Sequence, residues 1–377
     1  MELFVPRETD PEETRVPILP AHAGELVRLG ARVEVEAGIG RAISIPDSNY
    51  EKEAVSVSKD REVSFRKAEM VLQMKNPRSD EIGYLNEGCI HVSCILPFDN
   101  PELVKALAAK KVSVISLAMI PRTAVAQKMD VLSSQANLAG YVAVLLAADR
   151  QKIILPMMMT PAGTIPPARV FVVGAGVAGL QAIATAKRLG ARVDAFDVRP
   201  EAQEQILSLG ARPLNVDLGA TGQTKDGYAR SLTDEQLQRQ RRAMALQCAQ
   251  SDVVITTARV FGRKSPLIIT NEMLDGMKPG SVVVDLAVEG GGNVEASELG
   301  KEIRRKGVTI IGLPELQRRV PVTATRMLSS NLCSFVSHFW DKQASRFVLN
   351  RDNEIIKNCL ITHEGQIVNQ LLKAAIG

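Results

Sequence analysis

Aromatic side chains are scarce in this chain: one Trp, four Tyr and nine Phe make up 4% of its 377 residues. Single-stranded nucleic acid is bound on aromatic platforms within a basic groove. Neither is present, since 46 Lys and Arg stand against 42 Asp and Glu, for a net charge of +4. The basic clusters Arg239-Gln240-Arg241-Arg242 and Arg304-Arg305-Lys306 are both read as solvated helix faces, so no nucleic-acid partner is expected. Histidine is rarer still, with four in the chain. The five cysteines (Cys89, Cys94, Cys248, Cys333, Cys359) are odd in number and lack zinc-type spacing. They point to reduced, mostly buried thiols in a cytosolic protein, with no metal site. No signal-peptide pattern opens the sequence, and no apolar run approaches the ~18 residues of a membrane-spanning helix. What remains is an ordinary globular composition, 45% hydrophobic and 23% charged. Its length exceeds one core and predicts two α/β domains.

One stretch carries most of the functional information. The apolar run Arg169–Val173 reads as a buried strand, and Gly174-Ala175-Gly176-Val177-Ala178-Gly179 follows it directly. Small apolar residues at Ala178, Ala182, Ala186 and Leu189 then mark a helix ending at Gly190. A second strand, Val193–Phe196, is tipped by Asp197, 23 positions after Gly174. Strand, glycine turn, helix, strand and terminal acid together form a dinucleotide-binding signature. Gly174 allows the tight turn, Gly176 leaves no Cβ between backbone and pyrophosphate, and Gly179 lets the helix pack close. The helix N-terminus offers N–H groups and partial positive charge to phosphate. Asp197 can accept from the adenosine ribose hydroxyls and repels a 2′-phosphate, which favours NAD(H) over NADP(H). Arg199 works against that preference.

Two runs of alternating strands and helices are visible. The first has strands at Leu3–Val5, Arg32–Val35, Met70–Met74, Cys89–Cys94 and Val112–Leu117, with a helix at His22–Leu29. It contains no glycine phosphate loop. The second has six, near 169–173, 192–196, 213–217, 252–257, 281–286 and 307–312. Between them, Met129–Asp149 has a helical pattern, and Pro166-Pro167 would break any helix before the nucleotide domain. Helical periodicity returns at Ala324–Trp340, and Arg346–Leu349 reads as a short strand. The predicted architecture is α/β with two Rossmann-like domains. The first, 1–133, is completed by 323–377. The second, 134–322, is a doubly wound nucleotide domain inserted in the first, with linking helices near 134–149 and 324–340 and a ligand cleft between the domains. The polar segment 218–230 is long for a connection and reads as a lid or binding loop with Tyr228 as its contact.

The whole chain resembles the soluble NAD(H)-binding α subunit of proton-translocating NAD(P) transhydrogenases, a relative of alanine dehydrogenase. The resemblance rests on Pro121–Tyr141, Met157–Thr160, Gly174–Arg199, Asp226–Ala229, Ile255–Ala258 and Asp285–Asn293. It implies that Arg122, Gln127, Asp130 and Ser133 line the nicotinamide side of the site and act in catalysis. It extends the cofactor-binding set through Gly174, Gly176, Val177, Gly179, Asp197, Val198 and Arg199 to Gly227, Tyr228, Gln240 and Arg259. Without the resemblance, Asp130 and Ser133 read equally well as helix-capping residues. It further implies NADH as hydride donor, an NADP(H)-binding β subunit, a membrane-spanning α subunit and a homodimer. The chain is then cytoplasmic, held peripherally at the inner membrane. Because it stops at Gly377 without a membrane segment, a split-subunit organisation is expected.

Alanine dehydrogenase is the rival reading, and a non-catalytic NAD-binding module the third. Arg15 and Lys75 fall where alanine dehydrogenases place keto-acid-binding residues. Leu96, however, occupies the position of their catalytic histidine, and Glu289 that of an aspartate. His91 is offset by an odd number from position 96, so on a strand it faces the other way and reads as structural. His22, His338 and His363 also read as structural or surface residues. Carbonyl reduction needs a proton donor, whereas hydride exchange between two nicotinamides needs only alignment.

Overall fold

A computed structural model describes residues 1–217, 233–260 and 262–376. The expected lid at 218–230, with Gly227 and Tyr228, lies outside the described residues. The chain divides into two compact units, Met1–Gln135 with Arg318–Gly377, and Ala136–Gln317.

The first unit begins with β1 (Glu2–Val5), β2 (Arg32–Glu36), β3 (Ser56–Ser58), β4 (Met70–Leu72), β5 (Ile90–Ser93) and β6 (Ser113–Ser116). All six pair in parallel. The chain steps outward from β1 through β2 to β3, then crosses to the other side of β1 for β4. The switch point of this sheet therefore lies between β1 and β4. Every residue of β4, β5 and β6 is buried, as expected of parallel strands covered on both faces. The helix predicted at His22–Leu29 forms over Pro20–Arg28, and Gly30 leaves it at φ 96°.

The second unit opens with an exposed hairpin, β7 (Met158–Thr160) and β8 (Gly163–Ile165). Its main sheet contains β9 (Arg169–Val173), β10 (Arg192–Phe196), β11 (Arg212–Pro213), β12 (Val253–Thr256), β13 (Val282–Asp285), β14 (Lys301–Arg305) and β15 (Val308–Gly312). The order β11-β10-β9-β12-β13-β15-β14 is doubly wound about β9. The six predicted strands are present, although the one expected at 213–217 is reduced to Arg212–Pro213, because Pro213 has no N–H to donate. A seventh strand goes beyond the sequence pattern. Arg304 and Arg305 lie on β14, antiparallel to β15, and Lys306 lies in the turn between them at φ 45°, not on a helix as expected. Glycines 300 and 307, at φ 77° and 84°, bound the segment. Its charged side chains flank Ile303 on an edge strand, where charge discourages pairing with another chain.

The last segment returns to the first unit. A small hairpin, β16 (Trp340–Asp341) with β17 (Arg346–Phe347), precedes β18 (Leu360–His363) and β19 (Gln366–Ile367). β18 pairs antiparallel with β6, and β19 with β18, giving an eight-stranded sheet. Among the described residues, all five cysteines are free, and only Cys94 is not fully buried. Burial pushes the thiols of Cys89, Cys248 and Cys359 up to about 12.

The helix predicted at Met129–Asp149 spans Val131–Arg150, and that at Ala324–Trp340 spans Pro321–His338. The first corrects an expectation: by length and composition it is apolar enough to cross a membrane, with half of its most apolar window buried inside the protein. Ser133, Ser134, Gln135 and Asn137 interrupt any unbroken apolar run, yet no ionic residue occurs before Asp149. Gly140 on this helix lies against the next one, since a Cβ there would sit 2.1 Å from the Ala178 carbonyl oxygen. Gly140→Ala is therefore expected to lower unfolding free energy by about 1–3 kcal/mol, measured by urea denaturation.

Candidate functional site

The second unit builds its candidate site at the carboxyl end of β9. Gly174 turns at φ +96°, and a Cβ there would meet Thr257 Oγ1 at 2.5 Å. Gly179, on the first turn of the Val177–Arg188 helix, admits no Cβ at all, because it would fall 1.8 Å from Gly174 O. Gly176 differs. Its φ of −77° suits any residue, and a Cβ would meet no described atom within 4 Å. Open space thus lies over the one glycine whose missing side chain is not needed for packing. The first helical N–H groups beside it have no partner within their own helix. That cradle fits a pyrophosphate.

Asp197 follows β10 and reaches back to this turn. Its Oδ2 accepts from Ala175 N at 2.8 Å and from Arg199 Nη2 at 3.0 Å. Its Oδ1 accepts from Arg199 N and Nε, each at 2.9 Å. The carboxylate raises the pKa of the Arg199 guanidinium further above its ordinary value. Val198 packs at the edge of the unit's apolar core, and Gln240 is buried on the helix Asp234–Gln250.

Two buried polar residues that sequence reasoning did not single out shape the neighbouring loops. Asp285, at the end of β13, accepts from Thr256 Oγ1 and from the N–H groups of Ala287, Asn293 and Val294. Asn293 accepts from Ala258 N at 2.9 Å and donates to the carbonyls of Ala258 and Pro266, each at 2.8 Å. The loops after β12 and β13 are thereby stitched together next to Arg259. Arg259 itself lies 3.8 Å from Glu289 in a half-exposed pair. The available signal was a polar pair, Asp285 and Asn293, flanking three consecutive glycines.

Arg122, Gln127, Asp130 and Ser133 lie along one segment of the first unit. Ala126 and Met129 are buried in a short 3-10 turn, which leaves Gln127 exposed beside them. Arg122 is exposed as well. Asp130 caps the following helix: its Oδ1 accepts from Ser133 N at 2.9 Å and its Oδ2 from Ser133 Oγ at 2.5 Å. Leu96 lies beyond β5, 37% exposed, and offers no proton. His91 on β5 is fully buried, with Nε2 at 3.3 Å from Gln73 Oε1, and burial pushes its pKa down to about 4. His22 bonds Ser329 Oγ, and His363 bonds Ser113 Oγ.

Arg15 and Lys75 belong to a separate ionic cluster near the β1/β4 switch point. The buried Glu13 carboxylate accepts hydrogen bonds from Arg15 Nε at 2.7 Å and Nη2 at 2.8 Å and forms ion pairs with Arg318, at 3.1 Å, and Lys75, at 3.8 Å. Arg15 Nη1 also donates to Gln135 Oε1 at 3.1 Å. Glu8 accepts from Met74 N at 2.7 Å, and burial raises its pKa to about 7.

Residues 4–139 match the N-terminal domain, and residues 143–370 the C-terminal domain, of the alanine dehydrogenase/PNT family models. The chain is 40% identical to the first segment of the divided NAD(P) transhydrogenase subunit alpha of Rhodospirillum rubrum, covering 99% of both chains. The crystal structure of transhydrogenase from Sinorhizobium meliloti superposes with TM-score 0.87 at 42% identity, covering 98% of this chain and 100% of that one. An L-alanine dehydrogenase structure has TM-score 0.83 at 22% identity, covering 100% and 99%, which speaks for the fold alone. The chain belongs to the alanine dehydrogenase/PNT family. Its fold is the two-domain, Rossmann-like architecture of those neighbours. NAD(H) is the nucleotide of this family, and the glycine turn fits it. The similarities support an oxidoreductase-type role as a transhydrogenase subunit within a multi-subunit complex.

The two glycines separate packing from binding. Gly179→Ala should lower thermal stability, whereas Gly176→Ala should leave unfolding unchanged and weaken NADH binding at least about tenfold, or 1.4 kcal/mol, by fluorescence titration. Glu8 predicts a pH effect. Its folded pKa lies above the unfolded value, so its contribution to stability is full below about pH 4.5 and is lost as pH rises through about 7. His91, with its pKa depressed, acts in the opposite direction, so the comparison must be with Glu8→Gln. Between pH 5 and 8 the parent's urea midpoint should fall relative to that variant.

Proposed function

We propose that this chain is the NAD(H)-binding component of a proton-translocating transhydrogenase and supplies hydride to NADP⁺ held by a separate subunit. The observation that carries this reading is a dinucleotide turn ending in Asp197, in a chain whose position 96 is a leucine without a transferable proton. Bound NADH supplies a hydride, and transfer to a second nicotinamide needs no proton at either reacting carbon. The chain's own work is then binding and alignment. The glycine turn and the following helix hold the pyrophosphate, Asp197 the adenosine ribose, and Arg122, Gln127, Asp130 and Ser133 the nicotinamide end. Proton translocation belongs to membrane-spanning partners, which hold this chain peripherally on the cytoplasmic face.

A homodimer is part of the proposal. The β7–β8 hairpin, with Met157 just before it, exposes Met157, Met158, Met159 and Ile165 by 44–78%. A two-stranded hairpin gains little stability alone, and an apolar one is suited to cover by a second copy. Retained Arg15 and Lys75 favour an alanine dehydrogenase reading, but both are engaged with Glu13 and no acid stands at position 96.

Stopped-flow hydride transfer with the separate NADP(H)-binding component tests this reading. Gln127→Asn withdraws the amide by one methylene and should slow transfer by up to ~100-fold, with NADH affinity changed far less. A variant that transfers at the parent rate but loses NADH affinity would make Gln127 a binding residue only. Alanine oxidation at even ~1 s⁻¹ would restore the dehydrogenase reading.

A further inference from the structure

A carboxylate offers about four lone-pair positions to donors. On Asp197 all four are filled within the protein itself. Arg199 N and Nε take Oδ1, while Ala175 N and Arg199 Nη2 take Oδ2. Two of these donors are backbone amides, fixed by the turn after β10 and by the glycine turn. The other two belong to one side chain. Its Nη2 also reaches Ala175 O at 3.3 Å, so the guanidinium lies against the glycine turn beside the open space over Gly176. The pair is largely shielded, with Asp197 9% and Arg199 18% exposed at the side chain, so it is screened less than a surface pair.

A ribose hydroxyl can reach Asp197 only by displacing a donor. The backbone amides cannot leave without unmaking the turn, but the guanidinium can leave by side-chain rotation. We propose that Arg199 is an internal competitor for Asp197, so that NAD(H) binds through this carboxylate only after the guanidinium has swung away. This rests on the reading of Asp197 as the ribose acceptor. The ion pair then sets two properties of the site. Apparent affinity is the intrinsic affinity reduced by the fraction of molecules with Asp197 released. Selectivity is set as well, because a paired Asp197 is nearly neutral towards a 2′-phosphate and a released one repels it.

The test compares NADH and NADPH dissociation constants for the full chain, its Arg199→Met and Arg199→Lys variants, and Asp197→Asn with and without Arg199→Met. Methionine keeps much of the side chain's length and removes its donors, so NADH should bind about three- to tenfold tighter. Lysine keeps the charge without the fork and should fall between parent and methionine. The NADPH-to-NADH ratio should widen in Arg199→Met. In the Asp197→Asn background, removing Arg199 should no longer tighten NADH. Unchanged NADH binding by Arg199→Met, with thermal unfolding preserved, would overturn the proposal, and weaker binding would overturn it by making Arg199 a direct ligand. Weaker NADPH binding with no gain for NADH would also overturn it, marking a 2′-phosphate ligand. A parent chain that binds no NADH would instead reject the nucleotide reading itself.

Discussion

The second unit depends on one close approach of backbone to backbone. Gly174 O, at the end of the central strand, lies where any Cβ on Gly179 would have to go. That contact lets the helix start directly over the strand end. It brings the helix's unpartnered N–H groups to the sheet's switch region, where doubly wound folds bind ligands. Thr257 Oγ1, beyond β12, closes the same point from the other side by donating to Gly174 O at 3.1 Å. Widening this contact by one methyl group shifts helix, strand and loop together.

The strands of both sheets were legible wherever they were buried. β9, β10, β12, β13 and β15 are apolar, β-branched runs, and their boundaries fall within two residues of the pattern. What escaped lay at the edges or one strand in from them. β3, β18 and β19 are short or carry serine, threonine and histidine, and β14 reads as a charged helix face because Lys301–Arg305 holds only one apolar residue. An edge strand takes its conformation from a neighbour distant in sequence, so its own composition carries little signal. The glycine motif was legible because its spacing is read directly from the sequence and two of its three glycines, Gly174 and Gly179, answer local steric demands. The engagement of Asp197 by Arg199 was not, since it depends on side-chain direction after a turn.

The molecule satisfies its buried carboxylates in two ways. Asp285 is met by three backbone amides and a hydroxyl, which organise loop shape without an ionic partner among the described residues. Glu13 is met by Arg15, Arg318 and Lys75, side chains brought from three separate segments. The first arrangement fixes a path of the chain, and the second joins remote pieces of one sheet's loop end. Breaking either strands a buried charge, which costs more than the lost contact alone.

The antiparallel pairing of β18 with β6 has a consequence for how the protein is made. Thr362 opposite Val114 is a contact across most of the chain, with a whole unit between them. On the ribosome, residues 136–317 emerge entire and can fold as one cooperative body while the first sheet still lacks its last two strands. Until those strands arrive, β6 is an open edge of buried character, the kind of surface that attracts chaperones. The stretch of sequence synthesised earliest is therefore among the last to reach its final form.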